Sequence, residues 1–77
     1  VVVTHYAPTY RTLIGERESA WPEMGCRRME EVILRRRPDY WLHAHAHRST
    51  SLAVRIGETL VMNVSLPAAG KVTVFDI

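Results

Sequence analysis

The spacing of apolar and polar positions changes its period several times along the chain, and each change predicts an element. Val1 to Thr4 are β-branched without a polar break, which suits a strand covered on both faces. Residues 5 to about 21 hold Tyr6, Pro8, Tyr10, Gly15 and the mixed-charge run Glu16, Arg17, Glu18 with no steady period. They predict a long loop, and loops of more than about 12–15 residues in compact domains are usually functional or mobile. A helix is predicted from Trp21-Pro22-Glu23 to just before Pro38, because proline is tolerated in a first turn and an acid there complements the dipole. Met29, Val32 and Ile33 mark its apolar stripe, with Gly25 and Cys26 continuing it one turn earlier. Arg27, Arg28, Glu30, Glu31 and Arg35 lie mostly off the stripe and predict a solvated face, and Arg35 to Arg37 fall where cations favour the helix end.

Beyond Pro38, Asp39 to Leu42 reads as a second buried strand. Ser51 to Ile56 and Thr59 to Val64 alternate around Gly57-Glu58, a glycine-first turn of the type II′ hairpin kind. Leu66 to Gly70 is a connection, and Lys71 to Ile77 reads as a closing strand. The fold class expected is therefore α/β: a βαβ unit with parallel strands, followed by an antiparallel β-meander. In such sheets functional residues gather beyond the carboxyl ends of the strands. That geometry brings His5, just past the first strand, towards His45 and His47, just past the second, across forty residues of sequence.

The run Trp41-Leu-His-Ala-His-Ala-His47 sharpens this expectation. Alternate side chains of an extended strand share a face, about 6–7 Å apart at the backbone. Imidazole is the commonest metal ligand among side chains, so three in alternation at a strand end point to metal ligation. Softness alone does not choose among zinc, iron and manganese. Carboxylates usually complete a two-metal hydrolytic site, and the one acid near the run, Asp39, sits at the wrong end of its strand.

Composition bounds these readings. Seventy-seven residues make one small domain of marginal stability, and a hydrophobic share of 47% supports a modest core. A net charge of +2 does not indicate nucleic acid, and nine arginines to one lysine name no partner. The single cysteine, Cys26, excludes an internal disulfide, suits a reducing compartment and is expected as a small core residue. No apolar run approaches the ~20 residues of a membrane span, so a soluble, cytoplasmic protein is expected.

Two segments resemble the calcineurin-like metallophosphoesterase family, in particular its small phosphodiesterase-like members. Val3-Thr-His-Tyr-Ala-Pro8 looks like that family's strand-His-x-x-Pro segment, and Ala44-His-Ala-His47, reached through Pro38-Asp39 and a hydrophobic stretch, looks like its Gly-His-x-His motif. A hairpin, an asparagine at Asn63 and a closing strand over Val72 to Ile77 also follow the family's order. The resemblance implies the C-terminal half of a four-layered αββα domain holding two divalent transition-metal ions, manganese, iron or zinc, and hydrolysing a phosphomonoester or phosphodiester. It implies His5 and His45 as ligands of one ion and His47 of the other; Arg48 beside them is a candidate to face substrate phosphate, with a solvated arginine as the alternative. His43 has no counterpart and is expected to be structural. Ala44 replaces the family's glycine, which strains the loop if that position needs a positive φ. The family's earlier motifs, which carry its aspartates, have no match in these 77 residues. The segment bearing them is expected upstream of Val1, and the 77 residues alone are expected to be inactive.

A second reading is a non-catalytic metal-binding or assembly module, self-associating or paired with the missing N-terminal half through an uncovered apolar face. A cupin would add a glutamate four or five residues after its His-x-His, where Ser51 and Leu52 stand. An amidohydrolase barrel needs about 200 residues or more.

Overall fold

A computed structural model describes residues 1–74. The elements are β1 (Val2–Thr4), a 3-10 turn (Glu18–Ala20) running into α1 (Trp21–Met24), α2 (Met29–Arg36), β2 (Tyr40–His43), β3 (Ala53–Ile56), β4 (Thr59–Asn63) and α3 (Leu66–Ala69). The four strands form one sheet in the order β1-β2-β4-β3.

The βαβ expectation holds at its centre. β1 and β2 pair in parallel with Val2 opposite Trp41, and between them α2 lays Ile33 into a cluster with Trp41, Ile56 and Val61, flanked by Met29 and Val32. The expected apolar stripe is therefore the buried one. The helix itself is shorter than its periodicity suggests. Gly25 is extended and bridges Ala7, with the Ala7 amide donating to Met24 and the Cys26 amide donating to the Ala7 carbonyl. A Cβ on Gly25 would meet the Ala7 carbonyl oxygen at 3.0 Å and Leu13 Cδ1 at 3.2 Å. The break is thus a close approach of two backbones, which outweighs helix continuity at a residue of poor helix propensity. Cys26 consequently lies on the surface, not in the core.

The second half is not a meander. β3 runs antiparallel to β4, but β4 lies parallel to β2 and separates it from β3. The side chains give the reason. Leu60 and Met62 on one face and Val61 on the other make β4 apolar on both, as an interior strand requires, whereas β3 exposes Ala53 and Arg55 on one face and sits at the edge. The hairpin turn has φ +60° at Gly57 and no positive φ at Glu58, which matches the type II′ expectation. Lys71 to Val74 form no strand, and Phe75, Asp76 and Ile77, the rest of the expected closing strand, lie outside the described residues.

The long loop after β1 is packed. Ala7, Leu13 and Ala46 form a second buried cluster with Tyr10, Trp21 and Met24 around it, and Thr9 and Thr12 are fully buried beside it. Both clusters lie to the Trp41 side of the sheet or beyond its end. The opposite face carries Val3, Leu42, Met62 and Ala53 in one register row and Tyr40, Leu60 and Arg55 in the next. None of these joins either cluster, and Val3 is 71% exposed. No helix among the described residues is long and apolar enough to cross a membrane.

Candidate metal centre

Three strands of the sheet, β1, β2 and β4, point the same way, so the segments that follow them emerge at one rim. The Ala44 amide donates to the His5 carbonyl at 3.2 Å and the Val64 amide to the His43 carbonyl at 2.8 Å, extending the parallel ladders into that rim. The imidazoles of His5 and His45 consequently stand with ring centroids 4.6 Å apart, and His47 lies 6.3 Å from His45. His5 and His47 are exposed and His45 is partly so. The rim also holds Tyr6, whose ring is 4.8 Å from His5 and 5.3 Å from His45.

The histidine run does not stay extended. β2 ends at His43, and Ala44-His45-Ala46 closes a tight turn in which the Ala46 amide donates to the Ala44 carbonyl at 2.8 Å. Its central residue, His45, has φ +68°, the rare and strained sign for a three-residue turn. Strain of this kind persists only where the surroundings hold it. Here the Asn63 amide donates from Nδ2 to the Ala46 carbonyl at 2.8 Å, Ser65 Oγ donates to the same oxygen at 3.3 Å, and Asn63 Oδ1 accepts the Ser65 amide. Ala46 itself is 1% exposed in the second cluster. Positive φ thus falls on His45, and Ala44 is relieved of it.

The turn sends the histidines in two directions. His43, on the Trp41 face of the sheet, is fully buried, with Nε2 at 2.7 Å from Thr12 Oγ1 and Nδ1 at 3.0 Å from the Ala44 carbonyl. A carbonyl only accepts, so Nδ1 carries the proton and the Thr12 hydroxyl donates to Nε2. Burial disfavours the charged ring and lowers the His43 pKa below the ordinary 6.5, opposed by its hydrogen bond to Ala44. His43 is a neutral strut between strand and loop, and the three-in-a-row pattern resolves into one structural and two surface histidines.

Arg48 is exposed, and its backbone amide donates to Glu16 Oε1 at 2.5 Å. Glu16 is the carboxylate that the packed loop brings to this side, a placement that required the loop's full path and had no local signal. Asp39 stays at the start of β2, away from the rim. Among the described residues no group of three or more His, Cys, Asp or Glu side chains is close enough to hold one ion. A cavity of about 310 Å³ lies elsewhere, between the end of α2 and the hairpin turn, lined by Ile33, Leu34, Arg37, Ile56, Gly57 and Glu58. None of the histidines lines it.

Comparison with protein families, with curated proteins and with solved structures finds no match to this chain.

Proposed function

We propose that this chain supplies the histidine ligands of a metal-dependent phosphoesterase whose carboxylate ligands come from another segment. The observation that carries the reading is the meeting of His5 with His45, 4.6 Å between ring centroids, at the carboxyl ends of parallel strands. His5 and His45 would hold one divalent ion and His47 would serve a second, with manganese, iron and zinc all compatible with imidazole donors. A divalent ion bound there would supply Lewis acidity, easing deprotonation of water and neutralising charge that develops on a phosphoryl group. The chain's own residues do the positioning: Asn63 and Ser65 fix the turn that presents His45, and Arg48 provides an exposed cation beside His47 for phosphate.

The partly exposed apolar face of the sheet favours completion by a further layer. Val3, Leu42, Leu60 and Met62 put apolar groups where an open sheet face would alternate to polar ones, as in a sheet meant to be covered on both sides. A phosphomonoester or phosphodiester is the substrate class. The same two observations, an apolar face and an acid-poor ligand set, favour as second reading a metal-binding or assembly module without activity of its own.

Zinc titration of the 77-residue chain followed by imidazole NMR separates these ideas from a purely structural role. Perturbation of His5, His45 and His47 with His43 unmoved is the expected result, and silence at all four rings would sink both readings. Bis-p-nitrophenyl phosphate with manganese is expected to give no turnover above background, and measurable turnover would show that the chain needs no completing segment.

A further inference from the structure

Tyr6 is 54% exposed, yet its position is closely determined. On one side Trp41 Nε1 donates to Thr4 Oγ1 at 3.0 Å, and Thr4 Oγ1 donates to the Tyr6 carbonyl at 2.6 Å. On the other, the amide and carbonyl of Ala7 are both bonded, to Met24 and Cys26. The ring stands edge-to-face with two imidazoles, at interplanar angles of 83° to His5 and 76° to His45. Its hydroxyl meets no hydrogen-bond partner among the described residues. An aromatic ring fixed in solvent by its backbone and its neighbours has already lost the freedom that binding would otherwise remove.

We propose that Tyr6 is a specificity-determining residue of the histidine site, the surface on which a flat aromatic group of the phosphoester substrate rests, a role that builds on the phosphoesterase reading of the same rim. A phosphate held at the imidazoles places its organic substituent within reach of the neighbouring ring. Stacking accepts any flat π system, a nucleobase or a phenyl ring alike, and offers nothing to a bare phosphate or a sugar phosphate. Tyr6 therefore selects the substituent and leaves the phosphoryl contact alone.

The test compares adenosine 5′-monophosphate, phenyl phosphate, ribose 5-phosphate and inorganic phosphate on the zinc-loaded 77-residue chain by calorimetry. The two aromatic ligands are expected to bind about 5- to 150-fold more tightly than ribose 5-phosphate, the range that base stacking on an aromatic side chain supplies. Tyr6→Phe keeps that preference, and Tyr6→Ala abolishes it, read within each variant as the ratio of aromatic-phosphate to ribose 5-phosphate affinity. Tyr6→Leu, which keeps bulk beside the imidazoles without a π face, also loses it and serves if the alanine variant does not fold. Equal binding of all organic phosphates by the native chain overturns the role of Tyr6, as does a uniform loss across all four ligands in the variants. Zinc uptake without aromatic preference defeats this role alone, whereas failure of zinc to reach His5, His45 and His47 defeats the phosphoesterase reading and this role with it.

Discussion

Thr12 and His43, thirty-one residues apart in sequence, are both fully buried and joined by a hydrogen bond of 2.7 Å. This contact fastens the loop that follows β1 to the strand that carries the histidine run. Replacing Thr12 by valine keeps the volume but leaves His43 Nε2 without a donor. The expected cost is about 1–3 kcal/mol, the penalty of a buried unsatisfied polar atom, read as a lower urea midpoint with an unchanged slope. An unchanged midpoint would mean that the loop is held by its apolar contacts alone.

The same ring makes stability depend on pH. His43 has a folded pKa below 6.5, so between that depressed value and 6.5 the unfolded chain binds more protons than the folded one. Its contribution is present in full above about 6.5 and is lost as pH falls through this window. Urea unfolding at pH 7.5 and at pH 5 is expected to show the native chain weakening on acidification, by more than a His43→Gln variant does. Equal pH dependence in the two would assign the effect to other groups.

Asn63 holds the strained turn at His45 through the Ala46 carbonyl. Asn63→Ala removes that donor and the acceptor for Ser65, and about 1–3 kcal/mol of stability is expected to go with them. Zinc affinity is expected to fall as well, because the His45 ring loses its fixed approach to His5. A variant that loses stability while keeping zinc affinity would show that the turn is held by other contacts.

Two backbone positions predict opposite signs. Gly15 has φ +108°, and a Cβ there would meet the Arg48 carbonyl oxygen at 2.6 Å, so Gly15→Ala is expected to destabilise by about 1–3 kcal/mol. Arg37 closes α2 with φ +51°, a conformation that glycine adopts without the Cβ penalty, and Arg37→Gly is expected to stabilise by up to about 1 kcal/mol. Thermal melts of the two variants check both signs.

The partly exposed apolar face of the sheet predicts self-association of the isolated chain. Leu60→Lys and Met62→Lys, in the middle of that face, are expected to lower the mass seen by light scattering without changing the far-ultraviolet spectrum. A native chain that is already monomeric at high concentration would remove the premise.

Much of this was legible in local pattern. The Met29, Val32 and Ile33 stripe, the parallel pairing of the two apolar strands and the Gly57-Glu58 hairpin follow from spacing and turn chemistry, which act over a few residues. The break at Gly25 was not legible, because its cause is Ala7, eighteen positions away. The place of β4 beside β2 had a signal in the contrast between Leu60 and Met62 on one strand and Ala53 and Arg55 on the other, a contrast that alternation alone does not weigh. Tyr6, Thr12 and Glu16 owe their roles to the path of the whole loop. The inward turn of His43 depends on where β2 stops, a boundary that the regular His-Ala alternation conceals.

Folding also changes which chelator the chain presents. Before the sheet forms, His43, His45 and His47 lie within five consecutive residues and can grasp an ion as a short peptide does. The native chain withdraws His43 into the interior and offers His5 in its place. On the proposed metal-binding reading, an ion captured early is bound to a ring that must be surrendered, so abundant free metal is expected to stabilise the unfolded chain as well as the native one and to erode the gain that loading would otherwise bring.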